Sequence, residues 1–138
     1  NTFFISKDEF IWTSEKDGFN HIYLINYSNN TERKLTSGKW DVTNVYGYNS
    51  KDQTIYFQAA KKRPTNREIY SLNLKTNQLN QISTLKGTND ADFSSDFQYF
   101  INTHSDANHP FTFTLNNKKG KVLKVLEDRL ILIVNNIL

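Results

Sequence analysis

An all-β fold of three repeated units is predicted by a tripeptide that recurs at a fixed interval. Ser-x-Asp occurs at residues 6–8, 50–52 and 94–96, so successive copies lie 44 residues apart. A run of aromatic and β-branched residues follows each copy, as expected for a strand after a turn. A repeat of this length that holds several short strands is typical of a β-propeller blade. We therefore predict a partial β-propeller of about three four-stranded antiparallel blades.

The later strands of each unit repeat with a common spacing. Equivalent residue pairs begin at Ile22, Ile69 and Thr112, which are 47 and 43 residues apart. The same two spacings separate equivalent apolar residues in the fourth strands, at Leu35, Ile82 and Val125. Because the third and fourth strands shift together, we expect the length variation to lie in the loop between the second and third strands.

Each unit is predicted to contain four short strands separated by turn residues. The predicted strands are 2–5, 9–13, 21–26 and 33–36 in unit one, 42–48, 54–59, 68–73 and 79–83 in unit two, and 91–93, 98–102, 110–115 and 122–126 in unit three. Polar and apolar side chains alternate over 112–115, which is typical of a strand with one buried face. The corresponding blades are predicted at 1–37, 38–86 and 87–128.

Composition excludes several kinds of site. The chain has no cysteine, so neither a disulfide nor a thiolate metal site is available. Its net charge of +3 is mild, and the basic cluster consists of Lys61, Lys62, Arg63 and Arg67 in the longer loop of unit two. A nucleic-acid surface would interleave cations with exposed aromatic rings over a larger area. We therefore predict a solvated loop and no nucleic-acid partner.

A nucleophilic triad is not indicated by the sequence. Ser105 and Asp106 lie next to His104 and His109, but neighbours in one loop do not supply the fixed geometry that an activated nucleophile needs. The G-x-S-x-G nucleophile elbow is also absent from the sequence. We therefore predict no catalytic or substrate-binding residue in this chain.

A calcium loop is a weaker interpretation of three aspartates than a structural role. Asp90, Asp92 and Asp96 have the spacing of half such a loop, but the turn glycine and the closing glutamate are missing. Asp96 already belongs to the repeated turn. We predict no metal site and no cofactor.

Five segments carry a resemblance to a known family: residues 15–24, 35–42, 55–57, 66–70 and 123–128. The segment Gly-Lys-Trp-Asp-Val at 38–42 and the segment Val-Leu-Glu-Asp at 125–128 are distinctive together. In this order the segments resemble the propeller of the dipeptidyl peptidase IV family over about residues 1–128. The chain resembles the bacterial members more than the animal ones.

The resemblance implies a role as part of a larger enzyme. Members of the family have an eight-bladed propeller followed by an α/β-hydrolase domain, and they remove N-terminal dipeptides after proline or alanine. Their triad lies in the hydrolase domain, and the residues that hold the substrate come from earlier blades, so the resemblance assigns no site residue here. It implies a wall of the substrate chamber, peptides as substrates of the parent, and a periplasmic or cell-surface location.

Two alternatives remain open. The chain could be a propeller segment of another member of the prolyl oligopeptidase family, with a different cleavage preference. It could also be a binding or scaffold propeller with no enzyme attached, because a fold alone does not determine function.

The ends of the chain suggest a fragment that associates with itself. The chain begins at Asn1, almost in a strand, which we interpret as a cut from a longer protein. Residues 129–138 form an apolar tail, far shorter than the ~20 residues of a membrane helix, and are either non-native or a linker toward a missing hydrolase domain. Because three blades leave two faces uncovered, we expect self-association, with the tail in the contact or folded on the third blade.

Overall fold

The structure is a computed structural model that describes residues 2–126, with His109 described by its backbone alone. Every regular element in that range is a β-strand, and the strands form three sheets of four. Each sheet is antiparallel, and consecutive strands are neighbours in it. The predicted all-β class, the strand number and the strand order are therefore confirmed. The tail at 129–138 lies outside the described residues.

The twelve strands divide evenly among three sheets, here called blades one to three. Blade one contains β1 (Thr2–Phe4), β2 (Glu9–Ser14), β3 (His21–Asn26) and β4 (Thr31–Lys34). Blade two contains β5 (Val42–Asn49), β6 (Thr54–Ala59), β7 (Glu68–Asn73) and β8 (Leu79–Gln81). Blade three contains β9 (Thr88–Phe93), β10 (Tyr99–Asp106), β11 (His109–Asn117) and β12 (Val122–Leu126).

The recurring Ser-x-Asp tripeptide lies in the first hairpin of every blade, as predicted. In blade three the Ser94 hydroxyl donates to Asp96 over 2.7 Å and accepts the Tyr99 amide over 3.1 Å. In blade one the Ser6 hydroxyl accepts the Asp8 amide over 3.3 Å. These short polar side chains satisfy backbone groups that the chain reversal leaves unpaired.

Several predicted strand ends are wrong: β8 ends at Gln81 and not at 83, and β9 begins at Thr88 and not at 91. The fourth strand of blade one is β4, two residues earlier than the predicted 33–36, because the Thr36 hydroxyl accepts the Ile22 amide over 3.0 Å and replaces a ladder bond. In blade three the predicted loop at 103–109 is mostly strand. β10 and β11 continue to a two-residue turn at 107–108, where the Asn108 amide donates to the Asp106 carboxylate over 2.9 Å.

The core lies between blades, on both sides of blade two. Successive strand side chains point to opposite faces of a sheet. Accordingly, Ile55 and Phe57 of β6 pack toward blade one, while Tyr56 packs against Phe93 of blade three with ring centroids 4.6 Å apart. All six residues of β6 are buried. In the described part of the chain, the outward faces of blades one and three still expose Phe4 (68%) and Phe111 (67%).

Backbone hydrogen bonds join each blade to the next. The Val42 amide of blade two donates to the Asn20 carbonyl of blade one over 2.8 Å. The Asn89 amide of blade three donates to the Arg67 carbonyl of blade two over 2.9 Å, and the Arg67 amide donates to Gly87 over 2.9 Å. Asn20 and Arg67 are 47 residues apart, as are Val42 and Asn89. The repeat therefore extends from each blade to the junction between blades.

Gly120 lies where the last hairpin approaches blade two, and its replacement by alanine tests that contact. Its φ is +95°, and a Cβ there would collide with the Ile82 carbonyl oxygen. Gly18 has a similar φ of +101° but nothing within 4 Å of a Cβ. Both Gly→Ala changes should cost about 1 kcal/mol through backbone strain. Gly120→Ala should cost a further ~1–3 kcal/mol through overpacking, measured by urea unfolding. Equal losses in the two variants would contradict the close approach.

Candidate functional site

One face of the structure carries two kinds of loop: the connections between the second and third strands of each blade, and the connections between blades. In an antiparallel sheet, the connection between the second and third strands lies at the same end as the connections between blades. These loops are 15–20, 35–41, 60–67, 82–87 and 107–108, and we call this side the upper face. It has a cleft of about 330 Å³ between blades one and two and one of about 450 Å³ between blades two and three. Arg63 lines both clefts.

The first of these clefts is strongly cationic. Its basic lining residues are Lys39, Lys61, Lys62, Arg63 and Arg67. Asp41 is the acidic residue that lines it, and the Asp41 carboxylate accepts the Asn20 amide over 2.7 Å. The cleft therefore combines five cations with one engaged carboxylate.

Trp40 forms the floor of the first cleft, because its indole ring packs on blade one. The His21 ring meets it edge-on at 4.8 Å between centroids, and the Lys61 ammonium lies 5.9 Å from the indole centroid. His21 Nε2 lies 2.9 Å from the Gly38 carbonyl oxygen. A carbonyl only accepts, so Nε2 carries the proton. His21 therefore positions Trp40 and the connector at 38–40.

A buried carboxylate lies at the start of β7, below the cationic loop. Glu68 is 3% exposed, and its Oε1 has no hydrogen-bond partner among the described atoms. Burial raises the pKa of Glu68, and the charge of Lys62 opposes this shift. Burial also raises the pKa of Tyr70 to about 12, with a smaller contribution from the charge of Glu68.

The junction between blades two and three contains a buried amide network. Gln58 accepts the Thr43 hydroxyl over 2.7 Å and donates to the Asn89 carbonyl over 2.7 Å. The side-chain amide nitrogen of Asn102, Nδ2, donates to Asn89 Oδ1 over 2.9 Å. Side-chain amides do not ionise near neutral pH, so this network orients the blades and provides no acid or base.

The residues considered for a triad lie at one end of blade three, in and after β10. His104 is 8% exposed, whereas Ser105 lines the second cleft, and the pairing of β10 with β11 shifts register between residues 104 and 106. His104 Nε2 lies 2.5 Å from the Lys86 carbonyl oxygen, which gives His104 a structural role between blades two and three. Asp106 is the last residue of β10 and lies at the rim of the second cleft. The structure describes the backbone of His109 and not its side chain.

Two of the three aspartates considered for calcium have hydrogen-bond partners in different parts of the fold. Asp90 on β9 accepts the Tyr46 hydroxyl over 2.6 Å, while Asp96 in the following turn accepts the Ser94 hydroxyl. Asp92 lies between them on β9. Burial and the bond to Asp90 raise the pKa of Tyr46. Within residues 2–126 no group of three or more His, Asp or Glu side chains is placed to hold a metal ion.

Sequence reasoning identified the basic loop but missed the cations that surround it. Lys39 lies in the connector before blade two and Lys86 in the connector before blade three, at the rims of the first and second clefts. They are 47 residues apart, the spacing that relates the third strands of units one and two. That spacing was the signal that could have placed both lysines beside the 60–67 loop.

The opposite face has a polar cleft of about 570 Å³ between blades two and three. The Lys118 ammonium reaches across it to the Asp52 carboxylate over 2.8 Å. The aspartate of the second Ser-x-Asp copy is thus paired with the next blade. The Asp52 carboxylate also accepts the side-chain amide of Asn49, whose Oδ1 accepts the Lys51 amide of the turn over 3.2 Å.

Three four-stranded antiparallel sheets, joined in chain order by backbone hydrogen bonds from the start of one blade to the start of the third strand of the blade before it, define a segment of a β-propeller. A family model described as the dipeptidyl peptidase IV N-terminal region matches residues 1–111. The chain belongs to this family, and its three blades are part of the family's propeller.

Relatives with known names agree with this assignment. The chain is 30% identical to a probable dipeptidyl peptidase 4 of Aspergillus fumigatus over 109 residues, which are 77% of this chain and 14% of the relative. It is 29% identical to the dipeptidyl peptidase 4 of Trichophyton equinum over 83% of this chain and 15% of that protein. The chain thus spans about a seventh of the length of these relatives.

Solved structures match almost the whole chain. The crystal structure of Porphyromonas gingivalis dipeptidyl peptidase 4 superposes with a TM-score of 0.82 and 38% identity, covering 97% of this chain and 19% of that one. A putative dipeptidyl aminopeptidase IV from Bacteroides ovatus superposes with a TM-score of 0.74 at 20% identity, covering 93% of this chain and 22% of that one. The second likeness supports the fold alone. The prediction of a partial propeller from this family is confirmed.

Within residues 2–126 the structure has no helix with the length and apolarity that crossing a membrane requires.

The buried Glu68 predicts a pH dependence of stability. A carboxyl whose pKa is raised in the folded state contributes stability below its ordinary value of 4.5, and this contribution is lost as the pH rises through the raised value. Glu68→Gln should therefore stabilise the chain at neutral pH by on the order of 1 kcal/mol and change little at pH values below the ordinary pKa. Urea unfolding at a series of pH values measures this.

The exposed Glu15→Gln is the matched control, because it removes the same charge from the loop between β2 and β3. It should leave the pH profile of stability unchanged. If the free energy of unfolding of Glu68→Gln ran parallel to that of the unsubstituted chain over the whole pH range, the argument from burial would be contradicted.

Proposed function

We propose that this chain is a non-catalytic part of the propeller of a dipeptidyl peptidase IV-like serine exopeptidase. The observation that supports this most strongly is the superposition of 97% of the chain on a bacterial dipeptidyl peptidase 4. In this proposal the parent is a bacterial enzyme of the periplasm or cell surface that removes N-terminal dipeptides. Its remaining blades and its hydrolase domain are the intramolecular partners of this segment.

The first strands of the blades support a role in the wall of the substrate chamber. In a propeller the first strand of each blade lies nearest the central channel. β5 and β9 are such strands, and they contact each other through the bond from Tyr46 to Asp90. Their exposed residues are polar: Thr43 and Asn44 on β5, and Thr88, Asp90 and Asp92 on β9. Such a surface suits a hydrated passage for peptides.

Activity assays separate the segment from its parent. The parent enzyme should release the chromophore from Gly-Pro and Ala-Pro substrates, whereas this chain alone should not, because His104 Nε2 faces the Lys86 carbonyl oxygen and not a nucleophile. Ser105→Ala in the parent should keep its activity. Hydrolysis by the isolated chain that is lost in Ser105→Ala or His104→Ala would overturn the proposal.

We also propose that the isolated chain associates with itself. The exposed Phe4 and Phe111 lie on opposite outward faces, which neighbouring blades would cover in a closed propeller. A second copy of the chain offers the same kind of apolar face. Light scattering should give a mass above that of the monomer, and truncation before Arg129 should change it if the tail takes part. A monomer for both chains, with no gain of dye binding on truncation, would contradict this proposal.

A further inference from the structure

The cationic loop is an addition that the blade does not need. The connection between the second and third strands has six residues in blade one (15–20), eight in blade two (60–67) and two in blade three (107–108). Blade three pairs its strands through the shortest connection, so the length in blade two serves something other than strand pairing. That added length carries Lys61, Lys62 and Arg63.

The loop is held in place at both ends. The Ala60 amide donates to the Asp41 carbonyl over 3.0 Å, and the Arg67 amide donates to the Gly87 carbonyl over 2.9 Å. Inside the loop, the Asn66 amide closes a turn on the Arg63 carbonyl over 3.1 Å. The cations are therefore presented on a backbone anchored to both neighbouring connectors. A preorganised site of this kind loses less entropy when a ligand binds.

The charges of the loop are not neutralised by the rest of the described chain. Within residues 2–126, Lys39, Lys61, Lys62, Arg63 and Arg67 form no ion pair. Lys61 lies over the Trp40 ring, and Arg67 Nη1 donates to the Pro64 carbonyl over 3.5 Å. The nearby Glu68 is buried below the loop. Like charges gathered in a cleft attract an anionic ligand and repel one another without it.

The lining of the first cleft favours a peptide over a nucleic acid. Arg63 and Arg67 have the planar fork that matches a carboxylate, and Phe19 and Pro64 add apolar contacts beside them. Single-stranded nucleic acids require free aromatic faces on which bases stack. In this cleft Trp40 is engaged by His21 and Lys61, so Phe19 is the one remaining aromatic ring of the lining, which is too few for a run of stacked bases.

We infer that the first cleft and the adjoining 60–67 loop bind acidic peptide segments, with carboxylates on Arg63, Lys61 and Lys62 and apolar side chains against Phe19 and Pro64. This interaction goes beyond the proposed role as a chamber wall and does not depend on peptidase activity. It is a surface of the propeller segment itself.

The test is fluorescence anisotropy with the full 138-residue chain. The probe is a short fluorescein-labelled peptide in which glutamate alternates with alanine and phenylalanine, and the comparison peptide has glutamine in place of glutamate. We expect the glutamate peptide to bind at least about tenfold more tightly, and its affinity to fall as salt rises above 0.1 M, where the screening length is about 10 Å.

The variant Lys61→Gln/Lys62→Gln/Arg63→Gln should weaken binding of the glutamate peptide by about tenfold or more. The matched control is Lys51→Gln/Lys75→Gln/Lys121→Gln, which removes the same charge from loops on the opposite face and should leave the affinity within about twofold. Circular dichroism and urea unfolding establish that both variants fold as the unsubstituted chain does.

Three results would overturn the inference. Equal affinity for the two peptides in the unsubstituted chain would show that carboxylates are not recognised, without reference to any variant. Equal losses in the two triple variants would show that net charge, not this cleft, attracts the peptide. Displacement of the peptide by a thymidine oligonucleotide at lower concentration than by unlabelled glutamate peptide would assign the surface to nucleic acid.

Discussion

The structure depends on the burial of a sheet that is apolar on both faces. β6 has no exposed residue, and its side chains alternate between Phe57 on one face and Tyr56 on the other. A sheet of this kind is stable only between two others, since each uncovered face would leave large apolar side chains in water. Blade two has this arrangement, whereas Phe4 and Phe111 mark the faces of blades one and three that still require a neighbour.

Polar groups determine how the blades are aligned once burial has brought them together. Apolar packing tolerates sliding, but a buried amide left without its partner costs free energy. Gln58, Asn89 and Asn102 therefore hold blades two and three in one register. Lys118 and Asp52 add a half-exposed ion pair at the far edge, which contributes little stability but is satisfied only in that alignment.

The sequence was sufficient to predict the strand order, because Ser-x-Asp turns and Ile22-type positions recur at spacings that a propeller blade explains. It was not sufficient at residues 103–106, where Thr103 and Ser105 weaken the apolar alternation although β10 continues through them. Pairing with β9 and β11 supplies the missing preference, and this pairing is a tertiary effect. The upper face was predicted in part, since the cations at 61–67 were recognised as a cluster while Lys39 and Lys86 join them only through folding.

The backbone junctions between blades have a consequence for how such proteins change over time. The bonds from Val42 to Asn20 and from Asn89 to Arg67 use main-chain atoms, so the hydrogen bond itself does not depend on which side chain Arg67 or Asn20 carries. The cationic Arg67 stands where blade one has Asn20. A gene that duplicates or exchanges one blade would thus keep the joint intact while the loops diverge. In this way the loops of one blade can change, and give the protein a new surface, while the joints between blades stay the same.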